Sequence, residues 1–172
     1  MVKHFIAAGA LVAIAGVGAS AQTAALRNVI SIQPLNVVFQ VYTGEFERTF
    51  AKAATWGVGG TTTDFADDAN YSSAEFKVRY YPAGVALNGF SFGGSAGFSR
   101  VSTTDFNGRE ESAGGPSFGV LLEYQWLMGD KKNVAVTLGA GAKVLNIDEE
   151  EFSSTSVTVR YPTGRISIGF AF

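Results

Sequence analysis

The chain has 172 residues, 47% hydrophobic, with 21 Gly and 14 Phe, which suits one domain built of strands rather than a helix bundle. Only 16% of residues are charged and the formal net charge is −2, so nothing favours nucleic acid as a partner. There is no Cys, so no disulfide can brace the domain.

The first segment stands apart from the rest. "MVKHFIAAGALVAIAGVGASAQ" has a cationic start at Lys3, an apolar run from Phe5 to Val17, and an A-x-A site at Ala19-Ser20-Ala21. This pattern is that of a secretory signal peptide over residues 1–21, and its apolar run is too short to span a bilayer as a helix. The folded domain is expected over 22–172. The single histidine, His4, falls in the removed segment. The remaining chain cannot form a Ser-His or Cys-His pair or the usual transition-metal sites. No enzyme activity, metal or cofactor is expected.

From residue 28 onward the hydrophobic period is two almost throughout. Strands are predicted near 28–37, 41–50, 56–65, 74–81, 89–102, 117–128, 134–147 and 157–172. In "SAEFKVRYYP", Phe76, Val78 and Tyr80 oppose Glu75, Lys77 and Arg79. In "GFSFGGSAGFS", Phe90, Phe92, Ala96 and Phe98 oppose Ser and Gly. In "SFGVLLEYQWLMG", Phe118, Val120, Leu122, Tyr124 and Trp126 share a side against Gly119, Leu121, Glu123 and Gln125. In "NVAVTLGAGAKVLNI", Val134, Val136, Leu138, Ala140, Ala142 and Val144 oppose Ala135, Thr137, Gly139, Gly141 and Lys143. The last strand ends on "RISIGFAF", with an expected irregularity at Pro162–Gly164 where the apolar parity shifts.

The faces opposite the bulky residues are Gly, Ser and Ala with isolated charges. Small residues suit the crowded inside of a narrow barrel, and the bulky face then points outward to lipid. Three longer acidic connections ("DFADDANYSS", "TTDFNGREESAGGPS", "DEEEFSST") alternate with short turns near 51–55, 81–88 and 128–133. Together these features predict an all-β fold: a closed eight-stranded antiparallel up-and-down transmembrane β-barrel, with long loops outside and short turns and both termini on the periplasmic side. Trp56, Trp126, Tyr124, Tyr80, Tyr81 and Tyr161 are candidates for interfacial belts.

The signal peptide, "GEFERTF", "VRYYP" and above all the "ISIGFAF" ending resemble small outer-membrane β-barrel proteins of Gram-negative bacteria, the OmpA/OmpX-type and opacity-like families, over Asn28 to Phe172. The resemblance implies a bacterial outer-membrane location, with membrane lipid and lipopolysaccharide as surroundings. It also implies that Ile166, Ile168, Phe170 and Phe172 carry a recognition signal for the barrel-assembly machinery.

Alternation directs Glu45, Glu47, Glu75, Lys77, Arg79, Glu123, Lys143 and Arg165 into the lumen. Four acids and four bases inside eight strands favour an ion-paired plug over a conducting path, because so narrow an interior is filled by side chains. The acidic connections carry Asp64, Asp67, Asp68, Asp105, Glu110, Glu111, Asp148, Glu149, Glu150 and Glu151, with Arg100 and Arg109 opposing. They lack Ca²⁺-loop spacing, and a solvated loop face is the expectation. The functional expectation is a structural or surface-interaction protein of the outer membrane. The alternatives are a soluble exported lipocalin-like ligand-binding barrel, with the bulky residues inside, and a small passive pore.

Overall fold

The computed structural model describes residues 27–65, 69–104, 110–148 and 156–172, with only the backbone course at some strand ends. The expected signal peptide and most of the acidic loop tips lie outside the described residues. Eight strands follow in chain order: β1 (Asn28–Ile32), β2 (Val41–Ala51), β3 (Ala54–Phe65), β4 (Ala69–Tyr80), β5 (Gly89–Thr104), β6 (Glu110–Met128), β7 (Val134–Asp148) and β8 (Ser156–Ala171). Each pairs antiparallel with its sequence neighbours, and β8 pairs with β1, closing the barrel. Closure leaves no free ladder at the seam, where Val29 to Ile32 meet Ile168 to Ala171.

The strands are held in one continuous parity. Along the described strands even-numbered side chains face out and odd-numbered ones face in, except at the loop-end tips, where Val101 and Val159 are also exposed. Leu122, Val120 and Phe118 are 56%, 64% and 54% exposed, whereas Arg79 is 1% exposed. Following the register from Ser31 through Glu45, Gly59, Glu75, Gly97, Ser117 and Leu145 leads to Val159, whereas Ser31 itself pairs with Gly169. The circuit therefore slips by ten residues, a shear that tilts the strands by about 40° from the barrel axis. At about 3.4 Å rise per residue, the outward apolar run from Phe90 to Phe98 on β5 and from Phe118 to Met128 on β6 makes a belt about 20–26 Å tall. Its turn-end rim is aromatic: Phe46 and Phe76 pack on Trp56, Tyr80 on Phe92, Tyr124 on Trp126, and Phe170 on Phe172.

Three expectations need correction. The first strand does not run to residue 37: it ends at Ile32, and α1 (Pro34–Val37) follows. Pro34 has no N–H to donate to a ladder and its fixed φ suits the first turn of a helix. Two connections at the loop end are also shorter than expected, because pairing continues to Phe65↔Ala69 and Thr104↔Glu110. Those ends of β3 to β6 are rich in Ser, Thr, Gly and Asp, with only isolated bulky residues such as Tyr71 and Val101, so apolar periodicity could not mark them. Finally, β8 has no irregularity at Pro162–Gly164: register with β7 is unbroken from Val134↔Phe170 to Asp148↔Ser156. What changes there is the outward residue type, from Ile and Phe to Gly, Pro and Arg. Pro162 lies where β8 pairs with β7 alone, the edge-like setting in which proline is tolerated.

The parity can be tested with two glycines. A Cβ on inward Gly93 would collide with the backbone carbonyl oxygen of Val78, whereas outward Gly44 has nothing within 4 Å. Gly93→Ala should lower unfolding stability by about 1–3 kcal/mol. Gly44→Ala should be neutral or gain up to about 1 kcal/mol. Denaturant midpoints compare the two, and equal midpoints would contradict the assigned faces.

Candidate functional site: the barrel lumen

Three layers fill the lumen. At the turn end, Val29, Leu87, Ala135 and Ala171 are buried together with Leu127 against them. Leu87 reaches this floor because the connection from 81 to 88 folds across the base. Tyr81 N–H donates to Ala53 O at 2.7 Å and Ala86 N–H to Lys52 O at 2.8 Å, tying two turns together. Leu87 adopts φ +66°, a left-handed conformation costly for a branched residue and held here by its burial.

Above this floor lies the charge cluster. The eight lumen charges expected from alternation all point inward and meet. Glu45 accepts from three bases: Lys77 Nζ at 2.6 Å, Arg79 Nη2 at 2.7 Å and Arg165 Nη1 at 2.8 Å. Glu123 accepts from Arg79 Nε and from Arg165 Nη1, the latter at 3.2 Å. Glu75 pairs with Lys143 and stands 3.6 Å from Lys77. Glu47 accepts from Thr55 Oγ1 at 2.5 Å and Tyr81 OH at 2.9 Å, and Arg79 Nη1 faces it at 3.7 Å. Arg165 also reaches Ser31 and Ser167. Four carboxylates thus balance four cations within a space almost closed to solvent.

The cross-strand neighbours make this crowding feasible. Glu45 lies between Ser31 and Gly59, Arg79 between Thr55 and Gly93, Glu123 between Ser91 and Gly139, and Lys143 between Gly119 and Tyr161. A Cβ on Gly139 would sit 2.6 Å from Glu123 Cγ, and one on Gly119 3.0 Å from Lys143 Cγ. The lumen glycines are therefore the space into which long charged side chains lie down.

At the loop end the lumen widens into a cavity of about 250 Å³, floored by Glu75, Lys77, Lys143 and Arg165 and walled by hydroxyl-bearing residues such as Thr43, Thr61, Ser73 and Thr163. Tyr161 lines it too, and its expected place in an outer belt is corrected: its odd position turns it inward. Tyr81 is likewise fully buried inside, not at the rim. Burial, with the Glu47 carboxylate beside it, pushes its phenol well above the usual value, so it stays a donor. Trp56, Trp126, Tyr124 and Tyr80 do lie on the outer face near the turn end. Tyr81, Thr55 and Gln125 are site residues that charge alone did not mark. Extending the odd parity past Arg79 would have found Tyr81.

Of the terminal residues, Ile166, Ile168 and Phe170 face outward and are 43–54% exposed. Phe172 closes the barrel with its backbone: its N–H donates to Asn28 O, and its carbonyl accepts from Arg27 N–H, Asn28 N–H and Asn28 Nδ2. Among the acidic loop residues, Asp64, Glu110, Glu111 and Asp148 sit on strand ends, while Asp67, Asp68, Asp105, Arg109 and Glu149 to Glu151 lie outside the described residues. Arg100 is exposed on β5 and donates to Ser112 Oγ. Among the described residues no group of three or more acidic or histidine side chains is disposed to hold a metal.

No family model, curated protein or solved structure matches this chain.

Glu45 is the acid with most to lose. Glu45→Ala leaves three cations facing one another and should cost about 3–5 kcal/mol of stability. Glu75→Gln with Lys143→Gln removes a pair together, and the double variant should be milder than the sum of its singles by about 0.5–3 kcal/mol. Denaturant unfolding of the wild type and the four variants measures both effects, and strict additivity would mean that Glu75 and Lys143 do not interact.

Proposed function

We propose that this chain is an integral protein of the bacterial outer membrane, a transmembrane β-barrel with a structural or surface-interaction role and a plugged lumen. The observation that carries this reading is the distribution of side chains across the wall: large apolar residues outward in a continuous belt, ion pairs inward. Water is a poor neighbour for such a belt, which far exceeds the few hundred Å² of apolar patch usual on soluble monomers. Its height of about 20–26 Å fits the apolar band of about 25 Å, flanked by aromatics, that bilayer-spanning barrels carry. The signal-peptide pattern and the aromatic terminus point the same way, with export followed by recognition of Ile166, Ile168, Phe170 and Phe172 by the barrel-assembly machinery. Membrane lipid and lipopolysaccharide are then the standing partners of the outer face.

The alternatives fit less well. A lipocalin-like binder keeps its bulky residues inside and its charges in water, the reverse of this wall. A passive pore needs a water path, and here both the charge cluster and the apolar floor around Leu87 lie across the axis.

Cell fractionation and a heat-modifiability gel test the reading. The protein should be recovered with outer membranes and migrate faster unheated than boiled. Recovery as a detergent-free periplasmic monomer would overturn it. The assembly signal needs a side-chain substitution, because deleting Phe172 also removes the backbone bonds that close the barrel. Phe172→Ala should accumulate as unfolded periplasmic chain, although the lost burial is only about 1.5–3 kcal/mol. Phe172→Tyr should insert nearly as well as wild type. Equal insertion of all three would reduce the terminal aromatic to a packing role.

A further inference from the structure

The charges outside the lumen are sorted along the barrel axis. At the turn end stand Arg27, Arg48, Lys52, Lys131 and Lys132, all exposed, with Asp130 the one exposed acidic side chain among them. The acids gather at the other end: Asp64, Glu110, Glu111 and Asp148 lie on the loop-end tips of β3, β6 and β7, and the connections beyond those tips add more. Among the described residues, none of the five turn-end bases joins an ion pair, either with a side chain or with the terminal carboxylate. Residues 1–26 contain no Asp or Glu, so the chain ahead of Arg27 supplies no partner either.

The bases are also sorted around the rim. Arg48 lies on the outer face of β2, with Asn28 across one ladder, Trp56 across the other, and Phe46 and Phe50 before and after it on its own face. Thr49 N–H donates to Arg27 O at 2.8 Å, which sets Arg27 next to this stretch, and Lys52 follows in the β2–β3 turn. Arg27 and Lys52 border a shallow groove of about 440 Å³ whose walls include Phe50 and Val85. Those two apolar side chains are 60% and 55% exposed. Lys131 and Lys132 stand in the β6–β7 turn, whose Asn133 O accepts from Ala171 N–H at 2.8 Å. The two basic turns thus flank the β8–β1 seam, while the turn from Pro82 to Asn88 carries no charge.

Height decides what these bases can meet. Arg48 sits across the ladder from Trp56, within the aromatic rim of the apolar belt, so its guanidinium lies beside the barrel and not beneath it. Beside a spanning barrel, that level is the headgroup layer, where long basic side chains lay their stems on apolar surface and carry their charge out to phosphates. A polymer lying below the membrane would reach the turns but not Arg48. Unpaired cations at this level favour anionic over zwitterionic headgroups.

We propose that the turn-end rim, from the β6–β7 turn across the seam to the β2–β3 turn, is a binding surface for anionic phospholipids, with one phosphodiester held by Arg27, Arg48 and Lys52 and its acyl chains lying against Phe46 and Phe50. The inference rests on the outer-membrane reading, since it needs a leaflet around the rim.

Trp56 and Trp126, the only tryptophans of the chain, both stand at this rim and report on it. The barrel is inserted into phosphatidylcholine vesicles that contain dibrominated phosphatidylglycerol or, in parallel, the same fraction of dibrominated phosphatidylcholine, whose bromines quench only neighbouring indoles. Both leaflets have the same composition, so the direction of insertion does not matter. A heat-modifiability gel first establishes that each variant is folded and inserted, so an inserted barrel without lipid preference rejects the rim site alone. Read in a Trp126→Phe background, phosphatidylglycerol should bind beside Trp56 at least about threefold more strongly than phosphatidylcholine, and high salt should remove most of the preference. Arg27→Gln with Arg48→Gln and Lys52→Gln should bring the ratio close to one. Arg100→Gln with Arg160→Gln, at the loop end, should leave it unchanged. A wild-type ratio of one would overturn the proposal, as would a preference that the triple substitution leaves intact. A ratio of one together with base-dependent binding to isolated peptidoglycan would assign the rim to a periplasmic polymer instead.

Discussion

Everything inside this barrel is arranged around one carboxylate. Glu45 takes hydrogen bonds from Lys77, Arg79 and Arg165, which come from β4 and β8, on either side of β2 in the barrel but far apart in sequence. A lone carboxylate in so closed a space would be costly, as would three cations without it. The cluster therefore makes sense only when all its members arrive together. It cross-links strands that share no ladder, and Glu45 stands beside Ser31, near the upper end of the β1–β8 seam. Such buried ion pairs contribute little net stability compared with an apolar filling; their effect is to penalise wrong registers. A one-residue slip of β4 would expel Lys77 and Arg79 to the outer face and bring Phe76 and Val78 among the acids.

The glycines follow from the same constraint. An interior eight strands wide cannot hold a large side chain at every inward position. Long charged side chains fit because most of their lateral neighbours are Gly, Ser or Thr, and the Gly59, Gly119 and Gly139 positions are space against which Glu45, Lys143 and Glu123 lie. This accounts for a chain that is at once rich in glycine and in phenylalanine. The small residues face in, the large ones face out, and the apolar floor around Leu87 is the exception that seals one end.

Much of this was legible in the sequence. Strict alternation marked the inward charges, because a period of two assigns every residue of a strand to a face once one is assigned. The strand count and closure followed from the alternation and the turn spacing. What stayed hidden had physical reasons. The polar strand ends at Asn70 to Ser73, with Tyr71 as a lone bulky residue, and at Ser112 to Ser117 carry too few large side chains to reveal a period. The apolar stretch over 28–37 includes Pro34, whose fixed φ and missing N–H suit the first turn of a helix better than a ladder. Leu87 lies in a turn, where a local pattern says nothing about which residue folds back under the barrel. The pairing of Glu45 with Arg165 depends on shear, which no single strand records.

The central claim is that the wall separates an apolar exterior environment from an ion-paired interior. A nitroxide scan at single cysteines from Ser117 to Leu127 along β6, in a chain that has no native cysteine, tests it most directly. In bilayers, collision with oxygen, which concentrates in lipid, should peak at the even positions Phe118, Val120, Leu122, Tyr124 and Trp126, and fall at the odd ones, with a period of two. A scan in which the even positions instead collide with a water-soluble nickel complex, or in which the period is lost, would contradict the account.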